Sequence, residues 1–377
     1  MLKDLLLLMI LALALIGWLG LKTLTPATDI QPISLADVLG EAPDVFRQVT
    51  GPDPLNFPAD HAAHPDYRSE WWYFTGNLDG PDGRALGFQF TLFRFGQEPG
   101  EMTDSEWASD QLWMAHLALS DLSTKRFFQA ERFSRSALAL AGATEHRWWL
   151  RDWQVQALEN GWQLQAGTTE FGLDLDFELT RPIVLQGNQG YSQKGPKAGN
   201  ASRYYSATRL GASGRVRLED QWLAVEGLAW LDREWGSGQL ADDVAGWDWF
   251  SLHLNDGRDL MLYRLRHADG SASKWSAGIL VEPDGRATVL EAGDFRATAQ
   301  TYWRDRHGVR WPLNWRVEVP AVGLTLNVQA AFEQQLWEQS VHYWEGSVEV
   351  RSAEGGPLLG RGYLELSGYG ETATASR

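Results

Sequence analysis

Cysteine is absent from the sequence, which excludes a disulfide framework, a thiolate metal site, a cysteine nucleophile and a lipid-modified N-terminal cysteine. Positive charge is in short supply: 33 Lys and Arg against 49 Asp and Glu give a formal charge of −16. A field of that sign repels phosphate backbones, so nucleic acid is not an expected partner. There is no Gly-x-Ser-x-Gly elbow and no phosphate-binding Gly-x-x-x-x-Gly-Lys loop, which leaves a serine-hydrolase or nucleotide reading without a motif, and no cofactor is expected. The one metal-like constellation, His61-x-x-His64-Pro-Asp66, sits in a proline-rich stretch with no second cluster to complete a coordination shell, so no metal is expected either.

Tryptophan, by contrast, is abundant, with 20 in 377 residues, and Leu-rich helical periodicity is scarce beyond the first segment, a balance that favours sheets. The long apolar run is Leu5 to Leu21, LLLLMILALALIGWLGL, preceded by Lys3. Its length lies between the core of a signal peptide and a membrane-spanning helix of about 17 to 25 residues. Either way the chain is expected to be exported, periplasmic or anchored to the inner membrane facing the periplasm, with membrane contact through this segment if it is uncleaved. Residues 1–24 are set apart on that ground as signal peptide or membrane anchor. Residues 25–64, punctuated by Pro26, Pro32, Pro43, Pro52, Pro54 and Pro58, form a lead-in that proline keeps out of long helices and central strands.

From Arg68 the pattern becomes all-β. SEWWYFTGNL, a turn at Asp79 to Gly83 and RALGFQFTLFRF read as a hairpin. By the two-residue period Trp71, Tyr73, Thr75 and Asn77 share one face and Trp72, Phe74, Gly76 and Leu78 the other. QLWMAHLALSDL, ERFSRSALAL, HRWWLRDWQVQAL, GWQLQAGT, GLDLDFELT, SRYYSATRL and SGRVRLED continue the rhythm of a barrel or sandwich. The chain then repeats itself. WWYFTGNL and GRALGFQFTLFR are echoed by WDWFSLHL and GRDLMLYRLR, and RYYSATRLGASGRV with EGLAWLDREWG is echoed by HYWEGSVEV with RGYLELSGYG. Two collinear echoes point to a duplicated β domain, with a first domain over 65–240, a second over 241–370 and a tail at 371–377.

The stretch from Glu226 to Arg266 holds Trp230, Trp235, Trp247 and Trp249 among Asp232, Glu234, Asp242, Asp243 and Asp248, with Arg233 between them. Rigid aromatic walls beside carboxyls that lose hydration suit a pocket for a hydrophobic molecule, although the same alternation also describes a half-buried sheet. Asp232 and Asp248 are the candidate acids. Trp72, Tyr73, Trp235, Trp247 and Trp249 are candidate walls, Lys194, Tyr205 or His253 candidate orienting groups, and Trp71, Tyr204, Arg233 and Tyr263 complete the expected ligand-binding set. Against its role as an acid, Asp232 has an equal claim to a structural ion pair with Arg233 or Arg209.

Seven islands in order, from His64-Pro-Asp66 with Glu70 to Gly76, through Tyr191 to Gly195, Arg203 to Ser206, Trp230 to Gly236, Gly246 to Phe250 and Tyr343 to Gly346, to Gly362 to Tyr369, resemble the AttH and carotenoid 1,2-hydratase family. The resemblance covers about Pro65 to Gly370. It implies two tandem lipocalin-like, calycin-type antiparallel β-barrels with a hydrophobic cavity in or between them. Some members of that family add water to an isolated alkene. Others are exported proteins encoded beside ABC transporter components, which the N-terminal run favours here. The hydratase branch has a histidine where this chain has Arg233, and its paired tyrosine and aspartate have no match around Tyr263, which is followed by Arg264 and Leu265. The expected function is therefore an exported binder of a lipid or isoprenoid, associated with an ABC-type export system. The alternative is an acid-catalysed hydratase or cyclase.

Overall fold

The computed structural model describes residues 45–97, 110–352 and 355–370. The apolar run Leu5 to Leu21, and the export signal or anchor read into it, lies outside the described residues, as do most of the lead-in and the tail. Among the described residues the regular elements are strands and short 3-10 turns. They form two antiparallel barrel-like sheets in tandem, the all-β fold that the sequence pattern implied.

The first sheet runs, in spatial order, Arg126–Arg135, Gln111–Asp121, Ala85–Gly96, Ser69–Asp79, Gln221–Gly236, Ala201–Leu218, Phe171–Leu179, Gly161–Gly167, Trp153–Leu158, Arg147–Leu150 and Ala141–Ala143. It curls until Arg126–Arg135 approaches Arg147–Leu150. The second runs Ala287–Glu291, Ala277–Val281, Asp259–Arg266, Gly246–Leu254, Leu358–Leu366, His342–Arg351, Leu324–Ala330, Arg310–Val319 and Arg296–Arg304. Both follow one plan: a four-strand meander opens the sheet, and its first strand pairs with the sheet's last strand. The two echoes in the sequence fall on equivalent strands of this plan.

Two segments differ from the sequence reading. The SALAL end of ERFSRSALAL leaves the sheet as a 3-10 turn at Ala137–Ala139. HRWWLRDWQVQAL is split into two strands by a tight turn in which Arg151 adopts a φ of 58°.

The period-two alternation fixes what each strand buries. In Ser69–Asp79, Trp72, Phe74 and Leu78 point into the first barrel, where they meet Phe88, Phe90, Trp113, Trp148, Trp153, Trp162 and Phe177. Gly76 shares that inner face, and a Cβ there would come within 2.5 Å of the Phe88 ring and 2.7 Å of the Leu228 carbonyl. The second barrel is filled in the same way by Phe250, Trp311, Trp315 and Trp344. Both interiors are side-chain cores rather than ligand chambers.

The outer faces of the two sheets pack against each other. Asn77 Nδ2 donates to the Gly362 carbonyl at 3.0 Å, Ser120 Oγ to Gln335 Oε1 at 2.7 Å and His253 Nε2 to the Thr208 carbonyl at 2.7 Å. Arg209 and Arg181 both reach Asp259, at 2.6 and 2.8 Å. Gly87 permits the close approach, because a Cβ would lie 2.6 Å from Ser347 Oγ.

Candidate functional site

Where the two outer faces diverge they leave a cavity with about 760 Å³ of atom-free space, open solvent at its mouth included. The first sheet contributes Trp71, Tyr73, Thr91, Phe93, Tyr204, Asp232 and Glu234, and the second Trp247, Trp249, Tyr263, Leu265, Tyr343, Glu345 and Glu365. Lys194, Gln239 and Leu240 close it from connecting segments.

The registers reveal a repeated design. Asp232 lies across from Tyr73 on one side and Ser206 on the other. Glu365 lies across from Trp249 on one side and Glu345 on the other. The cavity is thus walled by the same positions of each repeat, with Trp71 matching Trp247, Tyr73 matching Trp249, Tyr204 matching Tyr343 and Asp232 matching Glu365.

Four carboxyl groups face this space. Glu234 is paired: Lys194 Nζ donates to it, to Ser202 Oγ at 2.7 Å and to Ser192 Oγ at 3.2 Å. The remaining three are held by neutral donors. Asp232 accepts from Trp230 Nε1 at 2.7 Å and from the hydroxyls of Tyr204 and Ser206. Glu365 accepts from Trp247 Nε1 at 3.0 Å, and Glu345 accepts from the hydroxyl of Tyr73. A buried carboxylate without a cation is costly, so the proton stays on. Burial pushes Asp232 up to about 7 against the opposing pull of its hydrogen bonds. Burial, with the charges of Asp232 and Glu234 adding to it, does the same to Glu365, also to about 7. Glu345 is raised well above the usual range by burial and by the neighbouring charge of Glu365.

Of the residues expected from the sequence, the cavity brings together Trp71, Tyr73, Lys194, Tyr204, Asp232, Trp247, Trp249 and Tyr263. Asp232 is not in the ion pair that was its alternative role, because Arg233 points to the opposite face of the strand and Arg209 is spent on Asp259. Six expected residues lie elsewhere, five of them for one reason. Trp72, Tyr205, Arg233 and Trp235 are buried on the opposite face of strands whose alternate residues line the cavity. Arg233 stacks on Trp72 and Trp235 at 3.8 and 4.8 Å and, with Arg94, clasps Glu70. Burial alone would raise Glu70, but those two guanidiniums outweigh it and hold the carboxyl far below its usual range. His64 stacks on Trp235 at 4.0 Å, and His61 Nδ1 lies 2.6 Å from the Tyr205 hydroxyl. The lead-in thereby seals the first barrel.

Asp248 is corrected in the same way. Its neighbours Trp247 and Trp249 face the cavity while it faces the second barrel, where Arg266, Arg264 and the Tyr369 hydroxyl reach it at 2.8, 2.9 and 2.7 Å. It is a structural anion, not an acid of the site. The sixth, His253, shares the face of Trp249 but is committed to the Thr208 carbonyl. Among the described residues no three His, Cys, Asp or Glu side chains form a metal-holding cluster.

The acids missed by the sequence reading are Glu345 and Glu365. Both lie in the echo that was noticed, and carrying Asp232 across to its equivalent strand would have found Glu365.

The profile of the AttH-like family matches residues 48–369. The chain belongs to the AttH-like family. The crystal structure of an AttH protein from Nitrosomonas europaea is similar to this AttH-like chain at 33% identity and a TM-score of 0.77, covering 86% of this chain and 100% of that one. Kievitone hydratase from Nectria haematococca shares the fold at 13% identity and a TM-score of 0.59, over 86% of this chain and 98% of its own. No protein of curated function matches this AttH-like sequence.

Proposed function

We propose that this AttH-like protein binds an uncharged, alkene-bearing hydrophobic molecule between its barrels and catalyses acid-dependent addition of water or cyclisation. The observation that carries the reading is the set of three cavity carboxyls, Asp232, Glu345 and Glu365, that have neutral hydrogen-bond donors in place of cations. Protonating an alkene carbon requires an acid that still holds its proton at neutral pH and a dry aromatic surround for the cation that forms. Asp232 supplies the proton. Trp71, Trp247 and Trp249 flank the cation, each face worth roughly 0.5 to 2 kcal/mol. A water then attacks the cation and gives up a proton to the Asp232 carboxylate left by the first step, which restores the acid. The fold is compatible with such chemistry, since a protein named kievitone hydratase shares it. The acid cluster, not that likeness, is the support.

The second reading is a non-catalytic carrier, exported and serving a transporter. It is favoured by the apolar run Leu5 to Leu21 and by the eight aromatic side chains in the lining of the cavity. Incubation with an uncharged isoprenoid alkene in isotopically labelled water separates the two. Labelled oxygen in the product, lost in Asp232→Asn, supports the hydratase. Stoichiometric recovery of unchanged ligand from the wild-type protein supports the carrier and removes the acid role.

A further inference from the structure

The cavity has a polar end that the proposed proton transfer does not use. The outer face of the first sheet presents three successive cross-strand rows: Ser69, Gly236 and Ser202, then Trp71, Glu234 and Tyr204, then Tyr73, Asp232 and Ser206. Lys194 and Gln239, both part of the cavity lining, lie over the first row. Lys194 Nζ reaches Ser202 Oγ, and Gln239 packs on Gly236, where a Cβ would come within 2.9 Å of the glutamine Cγ. Asn200 Nδ2 clamps the segment that carries Gln239, donating to the carbonyls of Gly238 and Leu240 at 2.9 and 3.0 Å.

Gln239 is 1% exposed. Its Nε2 lies 3.3 Å from Ser69 Oγ, whose own hydrogen goes to the Gly236 carbonyl at 3.4 Å, so Ser69 accepts and the amide nitrogen is the atom turned toward it. Oε1 is left on the other side of the amide, and among the described residues no donor reaches it. A buried acceptor without a partner is costly, and a ligand in the cavity can supply the missing hydrogen. Lys194 does not supply it, because its three hydrogens go to Glu234, Ser202 and Ser192. The lysine charge disfavours an ammonium group beside it, and a carboxylate has no hydrogen to offer. A neutral hydroxyl meets both conditions.

We propose that Gln239 Oε1 accepts the hydrogen of a substrate hydroxyl, which makes the substrate an unsaturated alcohol rather than a hydrocarbon. The inference rests on the reading of Asp232 as the acid of the cavity and fixes which end of the molecule goes where. At a strand rise of about 3.3 Å per residue, Asp232 stands about 7 Å along the sheet from the Glu234 row and about 13 Å from the Gly236 row over which Gln239 packs. The reacting alkene is therefore about 7 to 13 Å from the hydroxyl, as in an acyclic chain with the double bond toward one end and the alcohol at the other. An alcohol whose hydroxyl adjoins its one alkene cannot reach both groups. No proton changes hands at Gln239, which selects and orients the substrate by a binding contact.

The test is a binding comparison on the full-length protein, read by tryptophan fluorescence. The probes are citronellol, which has one alkene and a remote hydroxyl, its methyl ether, and the parent hydrocarbon without oxygen. Wild type should bind the alcohol at least about fivefold more tightly than the ether, which keeps the oxygen but lacks the hydrogen and leaves Oε1 unpaired. In Gln239→Leu the alcohol and the ether should bind alike, and the preference for alcohol over hydrocarbon should fall by about the same factor. Equal affinities of wild type for alcohol and ether, a comparison that needs no variant, overturn the contact. So does an alcohol-to-hydrocarbon ratio that Gln239→Leu leaves unchanged. Incorporation of labelled water is scored separately on the same ligands. If the alcohol preference holds and no product forms, the catalytic reading fails and the hydroxyl contact stands. If alcohol and ether are bound and hydrated alike, the contact alone falls.

Discussion

Replacing Asp232 by Asn should reverse the order of stability between wild type and variant as pH rises. In the folded protein burial lifts this carboxyl from 3.8 to about 7. Over a window of roughly three pH units the native state therefore keeps a proton that the unfolded chain has released. Stability falls by about 1.4 kcal/mol per pH unit in that window, or about 4 kcal/mol in all. The contribution is fully present below the unfolded value near 3.8 and is lost by the time the pH passes 7. Asn is isosteric and keeps an acceptor for the Trp230 and Ser206 bonds, but it carries no titrating proton. Denaturant unfolding of both proteins at a series of pH values should show their difference moving by about 4 kcal/mol in favour of the variant between acid and mildly alkaline solution. Background slopes from Glu70 and the other carboxyls are common to both proteins and cancel. A difference that stays flat with pH would refute the idea that Asp232 is held protonated, and with it the proposed acid.

Arg233→Met should destabilise the protein by about 3 to 5 kcal/mol, because it breaks a buried charge cluster around Glu70, yet leave hydrophobic-ligand affinity unchanged; thermal unfolding and a binding titration on the same sample check both. Trp249→Ala should weaken binding of an uncharged isoprenoid alcohol by about 1 to 3 kcal/mol, roughly fivefold to 150-fold in Kd, whereas Trp235→Ala should cost stability alone; fluorescence titration separates them. Affinity for the same alcohol should be higher at about pH 6 than at about pH 8, since ionising Asp232 and Glu365 puts uncompensated charge in the cavity wall. Equal affinities at the two pH values would contradict the assigned protonation.

The sequence made the sheets and their duplication legible because alternation and turn residues are local signals. It made half of the site legible for a related reason: Trp71, Tyr73, Asp232, Trp247 and Trp249 stand out by composition. What misled was treating composition as a neighbourhood. Trp72, Tyr205, Arg233, Trp235 and Asp248 are adjacent in the chain to cavity residues, and the two-residue period sends each to the opposite side of its strand. That rule was applied to Ser69–Asp79 and, carried through to the other strands, would have separated Tyr204 from Tyr205 and Asp232 from Arg233. The location of the cavity was less accessible. Whether a tryptophan-rich barrel is hollow or filled depends on how its rings interdigitate, which periodicity does not report. The contact of His116 Nδ1 with the Tyr343 hydroxyl at 2.7 Å was beyond reach as well, since it joins residues 227 positions apart across the two barrels.

The duplication explains why the site is chemically lopsided. Equivalent positions carry Asp232 beside Ser206 in one repeat and Glu365 beside Glu345 in the other. In the first, a hydroxyl neighbour gives a lone buried acid. In the second, two carboxyls share one cross-strand pair, and ionising both there would set like charges against each other in a dry wall. Glu365→Gln tests this division. It removes the charge that, after burial, contributes most to raising Glu345, so the Glu345 titration should move down toward the ordinary range while remaining above it, because burial is untouched. Infrared titration of the Glu345 carboxyl band reads the change directly. If the band titrates identically in wild type and Glu365→Gln, burial alone sets the Glu345 proton, and the second repeat holds two independent acids rather than a coupled pair.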